Sequence, residues 1–342
     1  MKVLPPQRLL DNLDRQLDVL VRGARDLPQR QRTMRSAIAW SYQLLSEEHR
    51  ALFRALSVFG GEFTLTDAEA IARDDGADFG SETREDPWRS LQTLEGLSSL
   101  VSKSLIVAKV DVVDPTEPQY ELLETIRAYG LEILKEAGEE NAVRQRFTEW
   151  FAALGEQWGS QLISQERRKR LAQFDLEYPN FRAALSWAVA SGDIVSGMRL
   201  LTGLWRYWDW RGQLTEGTMW CDKVLALEGD APPDLRVRAL YAAATMPFTR
   251  GDYDRARIPA LECLRVAEEA DDPVGIGFGA NALGNVYYDT GDFERAAEAY
   301  ALGAEKRRNH GSRSDIMVSI VNLAFVYVQI GRYGEARELF DE

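Results

Sequence analysis

The sequence predicts a mainly α protein: a small helical domain carrying a β-hairpin, followed by a superhelix of stacked helix pairs. Three observations predict it. Gly251-Asp252-Tyr253-Asp254-Arg255-Ala256, Gly291-Asp292-Phe293-Glu294-Arg295-Ala296 and Gly331-Arg332-Tyr333-Gly334-Glu335-Ala336 stand 40 residues apart, a period that marks stacked helical repeats. Apolar residues three and four apart recur along most of the chain, as helices with one buried face require. One stretch breaks that period. Leu105 to Val113 is β-branched, Asp114-Pro115-Thr116-Glu117-Pro118 reads as a turn, and Gln119 to Leu123 returns as a second strand.

In chain order, Leu9, Leu10, Leu13, Leu17, Leu20 and Val21 share one face of a helix over residues 5 to 22. Leu27-Pro28 breaks it, and a longer helix runs from Thr33 to Leu45. Ser46 followed by Glu47-Glu48 reads as an N-cap with acids in the first turn, opening a helix that runs to Val58 before Gly60-Gly61. Thr66-Asp67-Ala68-Glu69 reads as a capping box for a short helix, and residues 74 to 87 as an acidic surface loop. Leu91, Leu94, Leu97, Leu100 and Val101 mark a helix over 88 to 101 ahead of the hairpin. Helices followed by a hairpin suggest a winged helix, here over residues 30–137, with residues 1–29 as a preceding tail. Glu124 to Glu136 is helical again, with Gly138 as its C-terminal cap.

Residues 138–342 form the repeat domain, clearest over 237–342 and looser upstream, where Ser191-Gly192-Asp193 separates two amphipathic segments. In each repeat the turn Gly takes positive φ, the aromatic two residues later fills the wedge between helices, and the following Ala lets helices approach. Pro247 occupies the place held by Tyr287 and Tyr327 in the later repeats, so the helix there is expected to end early or kink. The chain stops at Phe340-Asp341-Glu342 with no polar capping helix, which predicts Leu339 and Phe340 to be exposed or covered, with a homo-oligomer through that end as one outcome.

Composition narrows the function. The formal net charge is −13, and an acidic body disfavours direct nucleic-acid binding, since nonspecific affinity comes mainly from Lys and Arg. The exceptions are the basic first 35 residues and Glu166-Arg167-Arg168-Lys169-Arg170. No apolar run matches a secretory signal or a membrane span, which places the protein in the cytoplasm. Two cysteines, Cys221 and Cys263, and two histidines, His49 and His310, are too few for a disulfide framework or a zinc site, and the cysteines read as buried, inert thiols. No G-x-S-x-G or H-E-x-x-H occurs, and no Cys pairs with a His in sequence, so the chain is expected to be no enzyme and to hold no cofactor or metal of its own.

Partner binding is therefore the expectation, with a protein, a peptide or a small-molecule inducer in the groove of the repeats. Trp205-Arg206-Tyr207-Trp208-Asp209-Trp210-Arg211 is the densest aromatic stretch. Trp205 and Trp208, three apart, suit core wedges, which leaves Tyr207, Trp210 and Arg211 as groove candidates. Asn281, Asn285, Tyr288 and Asn322 lie on first helices of neighbouring repeats and complete the set, where asparagines could hydrogen-bond a peptide. The helix over 88 to 104 would read DNA in a winged helix, yet its charges are only Arg89, Glu95 and Lys103.

The repeat frame resembles tetratricopeptide repeats in the longer variant of bacterial signal-transduction ATPases. Residues 27 to 61, Leu97 to Leu105 and Tyr120-Glu121-Leu122-Leu123-Glu124-Thr125-Ile126-Arg127-Ala128-Tyr129 resemble the winged-helix arm of STAND regulators, the group that contains LuxR-type and SARP-type transcription factors. With Asn180 to Trp187 and Trp205 to Gly217, the resemblance covers nearly the whole chain. It implies a right-handed TPR-like superhelix, a winged helix serving as an internal hinge, and an ATPase domain as partner within a full-length protein. This chain holds no G-x-x-x-x-G-K-[ST], so ATP or ADP would be bound only with that other domain. Residues 8 to 22 resemble the last helix of the arm after the ATPase core. Leu122-Leu123-Glu124 is the counterpart of a nucleotide-touching Met-His-Asp motif and lacks its His.

Overall fold

A computed structural model describes residues 34–72, 87–110, 118–308, 310–311 and 313–341. The expected helix over 5 to 22, the tail over 1–29, nearly all of the acidic loop and most of the hairpin turn lie outside these residues. Fifteen helices and three short strands make up the described chain, so the fold is mainly α. It divides into two compact units, one holding the residues up to 151 together with 168–184, the other 152–167 with 185 onward.

In the first unit the elements run α1 Met34–Gln43, α2 Glu47–Leu56, β1 Phe63–Thr64, α3 Leu65–Ala72, α4 Pro87–Ser102, β2 Val107–Val110, β3 Pro118–Glu121 and α5 Glu124–Glu136. Then come parts of α6 Glu140–Gln161 and of α7 Arg167–Ser191. Helix–strand–helix–helix–hairpin is the winged-helix order. Ser46 caps α2 by accepting from the His49 amide at 3.3 Å, while Glu47 and Glu48 sit in the first turn, where the helix dipole favours acids. The wing is an antiparallel hairpin pairing Val107 with Glu121 and Val110 with Pro118. A third strand joins it in the order β1-β3-β2, Phe63 opposite Tyr120. Two residues long, β1 is too short to show a period-2 pattern, which is why the sequence reads as a hairpin alone.

The capping box of α3 lies two residues upstream of the expected Thr66-to-Glu69 one. The Asp67 carboxylate accepts from the Thr64 amide at 2.9 Å and from its hydroxyl at 2.7 Å, and the Thr64 hydroxyl accepts from the Asp67 amide at 3.2 Å. Trp150 decides between the two boxes: its indole donates to Asp67 at 2.8 Å, a partner from α6 that local sequence does not show. Burial outweighs these donors and raises the Asp67 carboxyl above the usual range.

Aromatic rings form the core of this unit. Phe59 stacks on Phe63 at 4.4 Å and meets Phe147 and Phe151 edge-on, and Phe151 continues to Phe181 and Phe174. Around it, Arg54 on α2 donates two parallel bonds of 2.7 Å to Glu139 and a third to the Tyr42 hydroxyl at 2.8 Å. Lys has no planar fork, so Arg54→Lys is expected to lower stability by about 1 kcal/mol, the solvent around Glu139 limiting the loss. A downward shift of the urea midpoint with unchanged slope would show it.

The second unit pairs α8 Ile194–Arg211 with α9 Leu214–Leu225, α10 Pro233–Thr249 with α11 Tyr253–Glu269, α12 Pro273–Asp289 with α13 Phe293–Arg308, and α14 Arg313–Gln329 with α15 Tyr333–Asp341. The repeat frame acts through its local chemistry. Gly251, Gly291 and Gly331 take φ near +80°, at +79°, +81° and +78°. After the first, Asp252 does two jobs: its amide closes α10 on the Pro247 carbonyl at 2.9 Å, and its carboxylate caps α11 by accepting from the Arg255 amide at 3.3 Å. Asp292 repeats both bonds with Tyr287 and Arg295. Ala256, Ala296 and Ala336 are buried, as close helix approach requires. Pro247 does not end its helix early. Helix α10 stops at Thr249, 40 residues before the end of α12 at Asp289 and in step with it. In the last turn Pro247 forfeits one amide bond, but its carbonyl still accepts from Arg250 and Asp252.

Candidate functional site

First helices α8, α10, α12 and α14 lie side by side in sequence order, so their facing residues line up in columns 40 apart. One column is Tyr241, Asn281 and Val321, the next Thr245, Asn285 and Phe325, the next Phe248, Tyr288 and Val328. A cavity of about 240 Å³ opens on this face, lined by Phe248, Asn285, Tyr288, Asp289, Tyr300, Asn322 and Phe325. Three of the seven expected groove residues, Asn285, Tyr288 and Asn322, therefore share one site.

Its polar groups are largely committed to each other. The Tyr300 hydroxyl donates to Asn285 Oδ1 at 2.7 Å, and Asn322 Nδ2 donates to Asn281 Oδ1 at 3.0 Å. Gln329 donates to the Tyr288 hydroxyl at 3.4 Å. Asn281 is buried beneath the cavity, where it also bonds Tyr241. Burial, reinforced by the nearby Asp289 charge, raises the Tyr300 phenol well above its ordinary value and keeps it a protonated donor. The Asn281–Asn322 bond thus ties one repeat to the next, and Asn285 holds Tyr300 within its own pair.

The aromatic stretch on α8 contributes differently from the expectation. Tyr207 is a correction: it is 1% exposed, packed in the core beside Trp208, because both fall on the inward face of α8. Trp210 and Arg211 are exposed, and the Arg167 guanidinium lies 4.1 Å over the Trp210 ring. Trp205 is half-buried and meets Tyr241 edge-on at 5.8 Å. None of these lines the cavity. At the chain's other expected contacts, Leu122 is buried, whereas Leu123 and Glu124 are exposed at the start of α5, Glu124 pairing with Arg127. Leu339 is half-buried in the α13–α15 core, and Phe340 is 51% exposed with its ring against Phe325. Cys221 and Cys263 are buried, and burial pushes both thiols up to about 12, where they are inert.

Four lining residues escaped the sequence reading: Phe248, Asp289, Tyr300 and Phe325. The period itself carried a signal for two of them, since Phe248 is Tyr288 one repeat earlier and Phe325 is Asn285 one repeat later. In the winged helix, α4 exposes Leu91, Leu94 and Val101 beside Glu95, its described side chains, residues 90–102, include no Lys or Arg, and Lys103 follows its last residue. Among the described residues no His, Cys, Asp and Glu cluster suits a metal ion, and no helix is long and apolar enough to cross a membrane.

Residues 45–135 match the winged helix-turn-helix domain family. Relatives extend over more of the chain. The "Putative HTH-type transcriptional regulator" proteins of Mycobacterium tuberculosis (strain H37Rv) and Mycobacterium bovis are each 30% identical over 325 residues, covering 87% of this chain and 34% of the relative. The chain thus spans about a third of the length of these relatives. Among solved structures, BtubC from P. vanneervenii is 17% identical with a TM-score of 0.45, covering 61% of this chain and 82% of that one. A STAND protein with a tetratricopeptide repeat sensor from Pyrococcus horikoshii is 16% identical with a TM-score of 0.38, covering 93% and 52%.

Proposed function

We propose that this chain is the non-catalytic sensing and protein-interaction region of a cytoplasmic transcriptional regulator of STAND type. A partner or small inducer occupies the repeat groove, and the winged helix passes that event to an ATPase domain that would also hold any ATP or ADP. The observation that carries this reading is the outer face of α4. Where a DNA-reading helix would present Arg and Lys to phosphates and base edges, the described side chains of this one, residues 90–102, include neither and expose Leu91, Leu94, Val101 and Glu95, a surface suited to protein contact. Leu123, exposed at the start of α5, adds to the apolar surface of the same unit.

A second reading, direct DNA binding, is favoured by the winged helix-turn-helix match and by the names of the mycobacterial relatives. Fluorescence anisotropy with a labelled duplex at low salt separates the two. Nonspecific binders reach Kd values of about 10⁻⁴ to 10⁻⁶ M even at physiological salt, so the sensing reading expects no saturation in that range. Duplex affinity that falls steeply as salt is added would overturn it. A free-standing scaffold is distinguished by adding a STAND ATPase domain in trans, to which a scaffold shows no affinity.

A further inference from the structure

We infer that the cavity between α10, α12, α13 and α14 recognises an organic cation, an alkylated ammonium group; this deepens the groove reading above and rests on it. Four of its seven lining side chains are aromatic, Phe248, Tyr288, Tyr300 and Phe325, and the only charge among them is the Asp289 carboxylate. Ring faces carry negative potential and attract a cation within about 6 Å. Asp289 has no ion-pair partner among the described residues. It is also the last residue of α12, and Phe248 lies in the last turn of α10, so two helix C-termini, the negative ends of their dipoles, meet at the cavity.

The same inventory gives an anion no countercharge. No Lys or Arg lines the cavity. Its Tyr300 hydroxyl already donates to Asn285, and the Asn322 amide already donates to Asn281. Beside the remaining neutral Asn and Tyr288 donors, the lining offers ring surface and a carboxylate, which suits a soft cation that brings few donors. A guanidinium would want a bidentate carboxylate lying flat against it, whereas a methylated ammonium asks only for ring faces and one diffuse negative charge.

Choline and its neutral carbon isostere, in which a tert-butyl group replaces the trimethylammonium, have one shape and differ in charge. Titrated into the full chain and followed by saturation-transfer NMR, choline is expected to bind about 10-fold more tightly than the isostere. Asp289→Asn, at an exposed helix end, is expected to weaken choline about 3-fold or more while leaving the isostere unchanged. Phe325→Leu, also at an exposed position, should weaken both, and circular dichroism should show both variants folded. Equal affinity for the two ligands, lost in Phe325→Leu, would overturn the cation inference and leave the groove reading standing. Absence of saturable binding by either ligand would also overturn it, and the groove reading is then judged by whether native mass spectrometry finds a retained partner. A peptide carrying one trimethyl-lysine, compared with its unmodified form, identifies the source: tighter binding than choline places the cation on a protein, weaker binding on a small molecule.

Discussion

Gly203→Ala is expected to destabilise the repeat unit by about 2 kcal/mol, although Ala is the better helix former by about 1 kcal/mol. A Cβ on Gly203 would lie 2.5 Å from the Gly155 carbonyl carbon, 2.7 Å from its oxygen and 2.9 Å from the Glu156 nitrogen. All three are backbone atoms of α6, so no side chain can rotate away, and the helices must separate along the crossing. Gly159 makes the reciprocal approach, its missing Cβ facing the Gly203 carbonyl. Separation would also pull Arg199 from Glu156, which it holds with bonds of 2.7 and 3.1 Å. Gly334→Ala supplies the contrast. It is helical too, and a Cβ there meets nothing within 4 Å, so the same substitution should stabilise by about 0.5 kcal/mol through propensity alone. Urea unfolding of the two variants should therefore move in opposite directions, and faster amide exchange along α8 should accompany the first. An unchanged midpoint for Gly203→Ala would show that α6 and α8 do not cross at backbone distance.

What could be read from the sequence was local. The Gly-Asp turns, the Ser46 cap and the Gly138 helix end each use residues within a few positions of one another, and all are placed as their chemistry requires. The period extended that reading over three repeats because stacking repeats the same local problem. Features set by distant partners were not legible. Strand β1 exists because Tyr120 lies opposite Phe63, and the α3 cap is fixed by Trp150, 83 residues from Asp67. Helical spacing places Tyr207 and Trp210 together, but spacing does not say which face turns inward, and only Trp210 is exposed. The groove was half legible for a related reason. Asn285, Tyr288 and Asn322 stood out as polar or aromatic residues on first helices, whereas Tyr300 enters from the second helix of a pair, where no column rule applies.

Asn180 carries the largest effect expected in the first unit, because one buried amide there satisfies four groups. Its Oδ1 accepts from the Gly60 and Gly61 amides at 2.8 and 2.9 Å, and its Nδ2 donates to the Glu62 carbonyl and the Glu177 carboxylate, both at 2.6 Å. The residue is 0% exposed and Glu177 is buried beside it, so water cannot replace the lost bonds without opening the site. The two glycines also keep this loop close to α7: a Cβ on Gly60 would stand 2.8 Å from the Pro179 carbonyl oxygen. Asn180→Ala strands two amide donors, a carbonyl and part of a carboxylate. With each buried unsatisfied group costing about 1–3 kcal/mol, and some relaxation allowed, a loss of about 3–5 kcal/mol follows. Asn180→Asp tests the direction of the bonds. The new carboxylate can still accept from both amides, but its second oxygen then faces the Glu62 carbonyl and the Glu177 carboxylate, acceptor against acceptor. One proton shared between the acids relieves that, so the folded state binds a proton more tightly than the unfolded chain does. Stability that depends on a raised acid pKa is present at low pH and is lost as pH rises from about 4 through the folded value. The aspartate variant should thus unfold at a higher urea concentration at pH 5 than at pH 8, relative to the unmodified chain at each pH. Equal deficits at both would mean that Nδ2 faces neither acceptor.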